Sequence, residues 1–104
     1  MAAPPTTAPP ADVARLIERA SHLFEAGQTQ LALAVFDDAL AADPTPTARI
    51  ALATAVAGTM PRRAIEELER AWDHARRLDS PRFRALCCDN LAVLHLRVGS
   101  VALL

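Results

Sequence analysis

The chain has 104 residues, enough for one domain whose core hides well over half of the unfolded surface. Its formal net charge of −1 lacks the basic excess expected of a nucleic-acid binder or of a protein drawn to anionic membrane. Hydrophobic residues make up 52% and aromatics only 4%, and plentiful Ala and Leu with few β-branched runs favour helix over sheet.

Residues 1–11, MAAPPTTAPPA, read as a disordered Pro/Ala-rich tail. This segment has neither a basic start nor an apolar stretch, so it is not a signal peptide. Together with two Cys, that points to a reducing cytoplasm. The longest weakly polar run, residues 50–60, is too short to cross a bilayer. Arg supplies all the positive charge and Lys is absent, which reflects the codon usage of a GC-rich genome.

A helical domain is expected over residues 12–104, with about five helices. Asp12 is the expected N-cap of the first. Val13, Leu16, Ile17, Ala20, Leu23 and Phe24 then recur at helical spacing, and Gly27 stops the helix. The second helix is expected over about 30–42, with Leu31, Ala32, Val35, Phe36, Ala39 and Leu40 as its apolar stripe and Pro44 after its end. Thr45–Pro46 reads as a cap followed by a first-turn proline. The third helix, about 47–57, is apolar nearly all round and therefore expects neighbours on more than one side.

Pro61 opens a fourth helix reaching about residue 78, with Ile65, Leu68, Trp72 and Ala75 on one face. Its outer face offers i,i+4 pairs: Arg62 with Glu66, Arg63 with Glu67, Glu66 with Arg70, and Asp73 with Arg77. Ser80–Pro81 starts a fifth helix running to about Val98. Phe83, Leu86, Leu91 and Leu94 form one of its faces; Ala85, Cys88, Ala92 and Leu96 form another. Residues 100–104 look like the first turn of a sixth helix. Glycines at 27, 58 and 99 fall in one slot, between paired helices, and the repeat of about 34 to 41 residues marks an α-solenoid.

Ala32, Phe36, Ala39 and Pro44, with Gly27 at the turn before them, resemble the second helix of a tetratricopeptide repeat. In the helix before, Leu16, Arg19, Ala20 and Leu23 stand where that family has Trp-x-x-Leu-Gly-x-x-Tyr. Leu52–Ala53 with Ala64, Leu68 and Ala71 resembles a second copy, and Leu91–Ala92 with His95 and Gly99 resembles half of a third. The repeats would lie at about 13–46, 46–80 and 81–104, the last incomplete.

The resemblance implies an all-α, right-handed superhelix of antiparallel helix pairs. Its role would be non-enzymatic: a scaffold holding a peptide or helix of a protein partner in a concave groove. By the family's positions the groove would receive Ile17, Ser21, Ile50, Thr54, Asp89, Asn90 and Val93, with Arg49 replacing Ile50 if the third helix is shifted by one residue. Members of the family that grip a terminal carboxylate use a Lys, Asn and Arg clamp. Only Asn90 matches it here, so a more apolar ligand is expected.

An alternative is a homodimer formed through the fifth helix together with Val101, Leu103 and Leu104. Less favoured is a thiol redox sensor. Cys87–Cys88 are adjacent, about 3.8 Å between Cα atoms, which strains a disulfide. Both are expected to be buried structural residues. Cys88 and His95 are roughly 10 Å apart along one helix face, too far to share a metal, so neither metal nor cofactor is expected. His22, His74 and His95 accompany no recognisable nucleophile. His95 is expected in the core and His74 in solvent, and Trp72 is expected to anchor the core. Arg76, Arg77, Arg82 and Arg84 cluster without aromatic partners and so do not indicate nucleic acid.

Overall fold

The computed structural model describes residues 10–98. Among them it is all-helical, with five helices: α1 (Ala11–Glu25), α2 (Thr29–Ala42), α3 (Thr47–Val56), α4 (Pro61–Arg77) and α5 (Pro81–Val98). The expected tail and sixth turn fall mostly on 1–9 and 99–104, outside the described residues.

Each helix ends for a local reason. The α1–α2 turn is a Schellman motif: the Gln28 N–H donates to the Leu23 carbonyl and the Gly27 N–H to that of Phe24. Gly27 sits at φ 83, which only glycine adopts freely. The same pattern closes α4, where Ser80 donates to Ala75 and Asp79 to Arg76. There the left-handed position, φ 54, is held by Asp79. Gly58, expected to match Gly27, does not adopt a positive φ; α3 ends instead with Thr59 and Met60 both donating to the Val56 carbonyl.

Two start signals differ from expectation. Pro10 holds the N-cap position of α1, and Asp12 lies in the first turn, where its charge still suits the helix dipole. The cap of α3 is built mainly by Asp43. One of its carboxylate oxygens accepts from the Thr45 N–H and hydroxyl, and the other from the Ala48 N–H at 2.9 Å. Thr45 contributes through its own Oγ1, which accepts from the Thr47 N–H. Pro61 takes the first-turn position of α4 as expected.

The helices pack mostly against their sequence neighbours: α1 on α2, α3 on α4, and α4 on α5, while α3 also reaches α1 and α2. Short turns between packed helices make each neighbouring pair antiparallel. The core is built from Phe36, Leu52, Val56, Leu68 and Phe83, with fully buried Ala20, Ala53, Ala64, Ala71 and Ala75 between them. These alanines let the helix axes approach closely, and each buried Leu- or Phe-sized side chain stabilises the fold by about 1.5–3 kcal/mol. A smaller cluster of Val13, Ala39 and Ala48 joins the starts of α1 and α3 to the end of α2.

The second face expected for α5 finds no cover among the described residues. Ala85, Cys88, Ala92, His95 and Leu96 are exposed, whereas Phe83, Cys87 and Leu94 are buried. His95 is therefore not a core side chain, and of the two cysteines only Cys87 is buried. Trp72 is half-buried against the core; its indole N–H donates to Cys88 Sγ at 3.1 Å, and the Arg76 guanidinium lies 5.0 Å from its ring centre. Among the described residues no helix is long and apolar enough to cross a membrane.

Candidate functional site

Two concavities border α3, one toward α1 and one toward α4 and α5. The first, about 460 Å³, lies between α1 and α3 and is lined by Ser21, Phe24, Glu25, Ala51, Thr54 and Ala55. The second, about 210 Å³, is bounded by Ala53, Thr54 and Ala57 of α3, Leu68 of α4, and Asn90, Val93 and Leu94 of α5. Thr54 borders both, so they adjoin at α3 and together make a furrow bordered by α1, α3, α5 and Leu68 of α4.

The furrow's floor is mostly small: Ala51, Ala53, Ala55 and Ala57 keep the α3 surface low, so a bound backbone can come close to it. Phe24 and Val93 supply larger apolar surface, and Val93 is about half exposed at 49%. Two polar side chains already donate to backbone carbonyls. The Thr54 hydroxyl donates to the Ile50 carbonyl at 2.8 Å, and Asn90 Nδ2 donates to the Leu86 carbonyl at 2.8 Å. Acceptor capacity remains at Thr54 Oγ1, Asn90 Oδ1 and the Glu25 carboxylate, and donor capacity at the Ser21 hydroxyl and the second Asn90 Nδ2 hydrogen.

Four of the sequence-expected residues, Ser21, Thr54, Asn90 and Val93, line this furrow. Three do not. Ile50 is only 8% exposed and packs into the core, so Ala51 takes the position expected for it. Thr54, one turn on, keeps its expected place, so the exchange is local to Ile50 and does not bring in Arg49. Ile17 is half-buried against both core clusters and lines neither concavity. Asp89 is exposed outside both. Phe24 and Glu25 carry no sequence signal for the furrow, since Phe24 falls on the apolar stripe of α1 and Glu25 is its last residue.

A second polar feature was also missed. Glu67 of α4 is buried at 4% exposure, and its Oε2 accepts from Arg49 Nη1 at 2.7 Å while its Oε1 accepts from Arg70 Nη1 at 3.2 Å. Ion pairs along α4 therefore form at i,i+3, Glu67–Arg70 and Asp73–Arg76, and not at the expected i,i+4 spacing.

Among the described residues no group of three or more His, Cys, Asp or Glu is placed to hold a metal. Burial pushes the Cys87 thiol up to about 11, with the charge of the neighbouring Cys88 adding to the effect, so it holds its proton at neutral pH. The chain matches no family model, and neither a curated protein nor a solved structure matches it significantly.

Proposed function

We propose that the chain is a tetratricopeptide-like α-solenoid that binds an extended peptide or a helix of a protein partner in the α1–α3–α5 furrow. It has no catalysis of its own and works in the cytoplasm. The observation that carries this reading is Thr54, which joins both concavities and so gives first helices of successive hairpins one shared surface. Burial supports the same reading. Of the positions that carry the resemblance in the first two units, Ala20, Ala32, Phe36, Ala39, Leu52, Ala53, Ala64, Leu68 and Ala71 are at most 1% exposed, while Leu16 and Leu23 are half-buried and Arg19, Gly27 and Pro44 are exposed.

The furrow's chemistry narrows the ligand. An apolar floor with acceptors and the Glu25 carboxylate suits a peptide with small or apolar side chains and free donors, including a basic residue. The test is selection of a displayed random peptide library on the native chain. Selected peptides should bind the native chain and lose about tenfold or more on Thr54→Arg and Val93→Glu, both exposed positions whose variants keep the helical circular-dichroism signal. Peptides that bind these variants as tightly as the native chain would overturn the assignment.

The uncovered apolar face of α5 favours a second reading, a homodimer. Leu96 on that face is 64% exposed, beside exposed Ala85, Cys88 and Ala92. Multi-angle light scattering of the chain at high concentration separates the two: a clean monomer leaves only the peptide reading.

A further inference from the structure

On a different side of α3 from the furrow, Arg49, Arg70, Asp73, His74 and Arg77 line a notch of about 390 Å³ between α3 and α4. Its charge is not balanced locally. Three guanidiniums (Arg49, Arg70 and Arg77) line it with one carboxylate, Asp73, and buried Glu67 bonds two of them. Asp73 is engaged by Arg76 at 3.3 Å. Glu67 is engaged by Arg49 and Arg70, one guanidinium on each oxygen. Arg77 makes no ion pair among the described residues, and it projects from the last turn of α4 into the same notch.

Buried Glu67 acts as an anchor for the two guanidiniums. Each spends one Nη1 donor on it and retains further N–H groups. Holding Arg49 and Arg70 in place in advance removes much of the rotamer entropy that a flexible cationic patch would lose on binding. Planar guanidiniums with spare donors match carboxylates in forked geometry. We infer that the notch is a second binding site, for the carboxylate side chains of an acidic peptide segment. Nucleic acid is disfavoured: the cations converge on one compact notch instead of tracking along a backbone, no aromatic side chain lines it for base stacking, and the whole chain is net negative.

The experiment uses the full chain and a fluorescein-labelled acetyl-pentaglutamate peptide, read by anisotropy at low ionic strength. The native chain should bind it more tightly than pentaglutamine. Arg77→Ala should weaken binding about tenfold, the loss of one charge-assisted hydrogen bond. Arg77→Lys should recover part of that loss. Arg62→Ala removes the same charge at the far end of α4, roughly 22 Å away, and should leave affinity unchanged. Val93→Glu, in the furrow, should also leave it unchanged, which separates this site from the peptide furrow. Equal binding of pentaglutamine, an equal loss in Arg62→Ala, or displacement by inorganic phosphate at matched charge would each overturn the inference.

Discussion

The chain has no Lys and no Tyr to titrate at alkaline pH. That isolates Cys87. Its folded value is raised from 9.0 to about 11, so between these limits the native state keeps a proton that the unfolded chain releases. Stability is then complete below about pH 9 and falls as pH rises toward 11, by about 2–3 kcal/mol in all. Urea denaturation at a series of alkaline pH values should show this decline, and Cys87→Ala should remove most of its slope. Two helix ends make an opposed pair at the same scale. Gly27 and Asp79 hold equivalent left-handed positions, φ 83 and φ 54. Gly27→Ala should destabilise by about 1 kcal/mol, while Asp79→Gly should leave stability unchanged or raise it slightly. Thermal melts of both variants check the sign.

Among the elements, α3 is where sequence and structure part. The apolar stripes of α1, α2 and α4 mark their buried faces, apart from Leu31, which is 46% exposed, because each has a polar side to contrast with. Residues 47–56 are apolar nearly all round, so periodicity cannot choose among neighbouring registers, and packing puts Ile50 inward and Ala51 in the furrow. Glu67 was equally hidden. It sits in a run of alternating charges that reads as a solvated face, and only the approach of Arg49 from α3 buries it. Helix α5 has the converse problem: its two apolar faces predict two neighbours, and the described residues supply one. The Glu67 anchor gives the prediction at this scale. Arg49→Ala leaves a buried carboxylate with Arg70 alone and should cost about 2 kcal/mol. Arg49→Met combined with Glu67→Leu should recover most of that, as judged by denaturant midpoints, because no charge is then left buried.

At the scale of the molecule α3 is central: it packs on α4, also reaches α1 and α2, and borders both concavities. Of the residues expected in a groove, Ser21 lies in the α1–α3 concavity, Asn90 and Val93 in the one beside α5, and Thr54 in both. Ile17 and Asp89 fall outside because the furrow's edges depend on helix crossing angles, which a sequence pattern does not carry. The most direct measurement is a backbone-amide NMR shift map of the full chain, titrated with a peptide selected on it. Binding in the furrow predicts that the largest shifts cluster at Ser21, Glu25, Ala51, Thr54, Asn90 and Val93, with α2 and the Arg49–Arg77 notch little changed. Shifts centred on α2, or spread evenly over the chain, would contradict it.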